Sequence, residues 1–176
     1  WLRVPDADLP LWIPELTPNR TLFCPKCDAN WDYAWKCLPD LRIQCTRCGL
    51  ILPSDEFPEN GRETFINPLG KKVEYAFHGG ANGRRYRISG RLRYERIGKL
   101  SSIGALGKVY ALTGEKPYAV QAVKVMRRLA EVYPGYIAHD WTRSYRDYSN
   151  LQSGKLSGWK LHDAHTFAQV ALCYDL

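Results

Sequence analysis

Apolar residues recur at threes and fours through the second half of the chain. Leu92, Ile97, Leu100, Ile103, Leu106, Val109 and Tyr110 do so over 92–113, and Ala119, Ala122, Val123, Met126, Leu129, Ala130 and Tyr133 do so after Lys116-Pro117. That spacing puts one stripe of side chains on one face of an α-helix. Gly114 suits the end of the first helix, Pro117 the first turn of the second, and Pro134-Gly135 its stop. Together they predict an antiparallel helical hairpin with a short turn. Gly104 and Gly107 predict close approach of another helix. From Trp159 to Leu176 the helical pattern resumes with Leu161, Phe167, Val170, Ala171 and Tyr174, and it meets no Gly, Pro or basic stop signal. The expectation is a chain cut from a larger helical protein.

The first half follows other rules. Pro5, Pro10, Pro14 and Pro18 exclude a long helix over 1–22, while Trp1, Leu9, Leu11, Trp12, Ile13 and Leu16 are too apolar for a loose tail. The reading is an extended arm packed across another surface. Trp31, Tyr33 and Trp35 alternate, as do Leu41, Ile43 and Cys45, which predicts two short strands within 23–60. Residues 61–91 carry many Gly and Asn and few helix signals, and read as a connector leading to the helices of 92–176.

Cysteine spacing turns the two short strands into a specific module. Cys24-Pro-Lys-Cys27 and Cys45-Thr-Arg-Cys48 are two knuckles separated by seventeen residues. Four thiolates so placed can converge on one ion, and a soft, redox-silent Zn²⁺ suits them. The competing readings are two disulfides or buried thiols. Four protein ligands would fill the coordination sphere, so the expected role is structural. Gly49 follows the second pair where a knuckle needs positive φ, and Cys37 reads as buried filler.

Composition adds a charge of +7, from 25 Lys+Arg against 18 Asp+Glu. Such a balance points to a polyanionic partner or merely to solubility. The basic run Arg84, Arg85, Arg87, Arg91, Arg93, Arg96 and Lys99, interleaved with Tyr86 and Tyr94, either grips a polyanion or pairs with acids elsewhere. No apolar run reaches the roughly 18 residues of a membrane-spanning helix. The segment 136–158 is polar and aromatic, and Trp141, Arg143, Tyr145 and Arg146 in it suit a sugar bearing acid groups. Rings stack on the sugar's C–H face and guanidinium forks take carboxylate. Alternatively the loop is pinned by its own aromatics. His162 and His165, three apart, could share a metal, although a core or capping role is the commoner one.

Gly104-Ala-Leu-Gly-Lys-Val-Tyr-Ala-Leu-Thr-Gly114, the Ala-rich helix after it and Glu131-Val-Tyr-Pro-Gly-Tyr136 resemble a helical hairpin of the heparinase II/III-like polysaccharide lyases. Trp159 with Ala171-Leu-Cys-Tyr-Asp-Leu176 is similar to the next helix of that family. Tyr33-Ala-Trp-Lys36 with Ile43-Gln-Cys-Thr-Arg-Cys-Gly-Leu-Ile-Leu-Pro-Ser-Asp-Glu-Phe57 resembles its Cys-rich segment. The resemblance covers about 20–176. It implies a mainly α chain, an incomplete (α/α) toroid of helical hairpins preceded by a small β zinc ribbon, with a β-sandwich in the remainder of the same protein. It also implies β-elimination at a uronic acid of an acidic polysaccharide such as alginate or a glycosaminoglycan, in a periplasmic or extracellular setting. The family's catalytic residues lie mostly beyond Leu176, so none is assigned here.

Two other readings stand beside the lyase. A zinc-ribbon nucleic-acid-binding protein would account for the ribbon and the charge, but less well for the helical hairpin and aromatic loop, so nucleic acid is the less favoured partner. A helical interaction module without catalysis is the third.

Overall fold

The computed structural model describes residues 1–29, 34–140, 153–157 and 160–176. The arm opens with a 3₁₀ turn at Asp6–Asp8 and one helical turn, α1 (Leu9–Trp12). The ribbon follows as β1 (Trp35–Cys37), β2 (Ile43–Cys45) and β3 (Ile51–Leu52), an antiparallel sheet in that order, with Trp35 opposite Cys45 and Ile43 opposite Leu52. A second antiparallel sheet comprises β4 (Gly61–Ile66), β5 (Lys72–Gly79) and β6 (Arg85–Tyr86). The helices are α2 (Ile88–Ile97), α3 (Gly104–Thr113), α4 (Lys116–Val132) and α5 (Lys160–Asp175). A two-residue ladder joins β7 (His139–Asp140) to β8 (Ser153–Gly154).

This is an α+β protein, which corrects the expected mainly α chain with an incomplete toroid. The difference lies in 61–91. Val73, Tyr75 and Phe77 occupy every second position of β5, with Glu74 and Ala76 between them, so a strand pattern was present among the glycines and asparagines. Gly61 has a structural reason: the Phe77 ring lies over it from the facing strand, where a Cβ would collide. Tyr75 packs beneath this sheet with Ile137.

The hairpin expected after residue 92 is present in altered form. One continuous helix over 92–113 becomes two, α2 and α3, joined by a 3₁₀ stretch over Gly98–Ser102. Gly114 closes α3 with φ +68°, and Pro117 sits in the first turn of α4. Gly107 lets α3 approach α5: a Cβ there would stand 3.0 Å from Cys173 Cα and 3.1 Å from its carbonyl oxygen.

Two cores result. One gathers Leu9, Ile13, Leu100, Ile103, Val125, Leu129 and Tyr136, tying the arm to the helices. The other gathers Leu22, Trp35, Ile43 and Leu52 of the ribbon with Tyr86, Ile88 and Leu92. The arm is strapped down through two of its backbone carbonyls and one side-chain hydroxyl. Tyr136 Oη donates to the Pro14 carbonyl, Arg128 Nε to Ile13 at 3.1 Å, and the Thr17 hydroxyl oxygen accepts from the Ile137 N–H at 2.6 Å.

Candidate metal centre

The ribbon sheet brings its cysteines to one end. Cys24 and Cys27 lie on the turn before β1, Cys45 closes β2, and Cys48 lies on the turn into β3. Their four Sγ atoms all fall within 4.8 Å of one another. Cys24–Cys48 and Cys27–Cys45 are 3.6 and 3.7 Å apart. A tetrahedron with metal–sulfur bonds of ~2.3 Å has edges of ~3.8 Å, whereas a disulfide needs ~2.05 Å. All six cysteines are free thiols, so the donor set fits one ion and not two disulfides.

The two knuckles repeat each other. Asp28 N–H donates to the Cys24 carbonyl and Gly49 N–H to the Cys45 carbonyl, each at 2.9 Å. Cys24 N–H and Cys45 N–H donate to Ala29 and Leu50, each at 2.8 Å. The residue after the second cysteine has positive φ in both, +58° at Asp28 and +74° at Gly49. Gly49 was legible for that reason, but Asp28 was not, because aspartate enters this region less often than glycine. Beneath the centre the buried Trp35 indole donates to the Leu22 carbonyl at 2.7 Å.

The sulfur sites differ electrostatically. Burial pushes the Cys24 and Cys27 thiols up from their ordinary value. At Cys48 burial acts the same way, but the Leu50 N–H and the neighbouring thiols outweigh it and bring the group down to about 7. The N–H two residues beyond the second cysteine thus points at its sulfur in both knuckles, Ala29 toward Cys27 and Leu50 toward Cys48. Such donors stabilise thiolate, the form a metal requires. Cys37 stands apart and donates to the Leu38 carbonyl at 3.7 Å.

Most of the basic run is committed internally. Arg84 pairs with Asp28 and stacks on Phe23, its guanidinium 3.9 Å from the ring centroid. Arg85 and Arg87 converge on Glu63 of β4 at 3.0 and 2.8 Å, and Arg91 pairs with Glu95 one turn on. Arg93 donates to the Thr17 carbonyl at 3.3 Å. These acids lie up to 56 residues away in sequence, so the run alone could not reveal the pairing. Trp141, Arg143, Tyr145 and Arg146 lie outside the described residues. His162 and His165 are exposed on the first turns of α5, and the clustered metal-type ligands among the described residues are the four cysteines. No helix is long and apolar enough to cross a membrane among the described residues.

The site defines a class before anything narrower: a small antiparallel ribbon whose four cysteines could hold one metal ion. Comparison with family models, curated proteins and solved structures found no match to the chain.

Proposed function

We infer that this chain is part of a polysaccharide lyase that cleaves a uronate-containing polymer by β-elimination, with Zn²⁺ held structurally by Cys24, Cys27, Cys45 and Cys48. The observation that carries the reading is the placement of the lyase-like segments. Gly104–Gly114 forms α3 and its left-handed stop, and Glu131–Tyr136 forms the end and stop of the adjoining α4, with α5 packed on α3 through Gly107. The packing of these helical segments on one another is what supports the reading.

In β-elimination a base removes the proton beside the carboxylate, the glycosidic C–O bond breaks, and its electron pair leaves with the departing oxygen. A carbon–carbon double bond forms in the uronate. Trp141, Arg143, Tyr145 and Arg146 are the residues we assign to substrate contact. The metal centre takes no part in the chemistry, because four thiolates leave it no open position. A periplasmic or extracellular location goes with the substrate, and chelation protects thiolates there.

The nucleic-acid reading is weaker because Arg84, Arg85, Arg87 and Arg91 already answer acids of the same chain. The test uses the full-length protein in which this chain occurs, loaded with zinc. Mixed with alginate, heparan sulfate, hyaluronan or chondroitin sulfate, it should raise the ultraviolet absorbance of the unsaturated uronate with one of them. Absence of any rise, together with nucleic-acid affinity that falls steeply with salt, would transfer the function to nucleic-acid binding.

A further inference from the structure

Strand β4 stands at one edge of the second sheet, with β5 on its inner side. The turn at its end fixes which of its backbone groups face outward. Asn67 N–H donates to the Lys71 carbonyl at 2.9 Å, so Asn67 and Lys71 form a hydrogen-bonded pair. Antiparallel pairs alternate between bonded and non-bonded. Along this register Phe65, Glu63 and Gly61 bond to β5, while Arg62, Thr64 and Ile66 turn their N–H and C=O groups to the open side. Gly80 N–H, donating to the Arg84 carbonyl at 2.9 Å, sets the same alternation from the far side of β5. Among the described residues no group bonds to the outward backbone of Arg62, Thr64 or Ile66.

The two faces of β4 differ. On one, Phe65 packs on Tyr75 with ring centroids 5.5 Å apart, and Glu63 takes Arg85 and Arg87. On the other, Arg62, Thr64 and Ile66 are exposed, Ile66 to 67%. Ile66 also lines a cleft of about 330 Å³ with Pro68, Ile137 and Ala138, which leaves room at that end of the edge. Edge strands are commonly blunted by Pro, charge or a bulge. On the exposed face of β4 the charge is Arg62, near the start of the strand, and its Nη1 donates to the Glu59 and Gly61 carbonyls at 2.9 Å. The Thr64–Ile66 end carries no such guard.

We propose that β4 pairs with β4 of a second copy of this chain, antiparallel about a twofold axis at Thr64. Thr64 then stands opposite Thr64 of the second copy, and Arg62 opposite Ile66 of the second copy. Each of these pairs is hydrogen-bonded, so every outward N–H and C=O of Arg62, Thr64 and Ile66 finds a partner. The charges select this register. Sliding the strands until Arg62 met Arg62 of the second copy would oppose like charges and leave Ile66 in water. A twofold contact uses one patch on both copies and closes on itself. The pairing involves neither the metal centre nor residues 141–146, so it is independent of the lyase reading.

Two short strands make a contact smaller than the ~1,200 Å² of a stable interface, so the association is weak. Sedimentation of the zinc-loaded full chain in ~0.15 M salt should show monomer at about 10 μM and a growing share of dimer toward about 1 mM. Thr64→Pro deletes an N–H that the chain itself does not use, so it should fold normally and dimerise roughly tenfold more weakly. Ile66→Glu and Ile66→Lys read the register. The first sets an acid opposite Arg62 of the second copy, twice per dimer, and the second sets a base there. Ile66→Glu should dimerise roughly tenfold more tightly than Ile66→Lys. The same exchanges at Leu112, exposed on α3, control for net charge and should differ by less than about twofold. Monomer over the whole range overturns the proposal and leaves the edge to a strand of another protein. So does a dimer that a folded Thr64→Pro variant keeps, or one in which Ile66→Lys matches or exceeds Ile66→Glu. If Thr64→Pro fails to fold, the two Ile66 variants decide alone.

Discussion

At the scale of single residues the metal centre is governed by where each thiol's proton goes. A metal needs four thiolates, yet burial raises Cys24 and Cys27, while Cys48 is brought down to about 7. In the metal-free protein at pH 8 Cys48 is therefore mostly thiolate already, while Cys24 and Cys27 still carry protons. Loading with Zn²⁺ at that pH should release protons from Cys24 and Cys27, measurable as acidification of a weakly buffered solution. The sign of the pH dependence follows. Falling pH returns protons to the thiolates and expels the ion, so occupancy should decline on acidification and recover on return to pH 8. Metal uptake without proton release would show that the thiols are not the ligands.

Between elements, two contacts around α5 can be tested singly. Asp163 stands in its first turn, and its two oxygens take four donors from Lys155, Leu156 and Ser157. Asp163→Asn keeps the shape but turns an NH₂ group toward donors, so two lose their acceptor. We expect a loss of about 2 kcal/mol in unfolding by denaturant, the cost of buried unsatisfied groups. An unchanged midpoint would mean that these bonds contribute nothing net. The second contact is Gly107 against the Cys173 backbone. Gly107→Val must push α5 away, costing about 1–3 kcal/mol as overpacking does, and the tryptic susceptibility of α5 should rise with it.

These elements also show how far the chain could be read directly. The stops of α3 and α4 were legible because Gly114, Pro117 and Pro134-Gly135 act through their own backbone. The metal centre was legible because knuckle spacing encodes it locally. The second sheet was missed because its alternation is broken by Gly61, Gly70 and Gly79, and Gly61 makes sense only with Phe77 across from it. The surroundings of α5 were half visible: His162 and His165 announce themselves by spacing, but Arg20 reaches His162 from 142 positions away.

At the scale of the molecule the described residues hold two large cores beside the small Tyr75–Ile137 cluster, and the two predict how it comes apart. The ribbon core does not end at the ribbon, because Leu22, Ile43 and Leu52 share it with Tyr86, Ile88 and Leu92. The helical core, by contrast, contains Leu9, Ile13, Leu100, Ile103, Val125 and Leu129 and no residue of the ribbon sheet. Without an ion the four sulfurs, which lie within 4.8 Å of one another, lose the bonds that would tie the two knuckles together. Chelation should therefore loosen 24–52 and spread along shared side chains into the first half of α2, through Ile88 and Leu92. It should stop before Ile103, where the packing partners change. Amide hydrogen exchange with and without chelator measures this directly. We expect protection to fall in β1–β3 and in the N-terminal half of α2, while α3, α4 and the arm at Leu9–Ile13 exchange as before. Loss of protection throughout α3 and α4 would show that the metal supports one cooperative unit, and retention throughout α2 would show that the ribbon is only lightly attached to the helices.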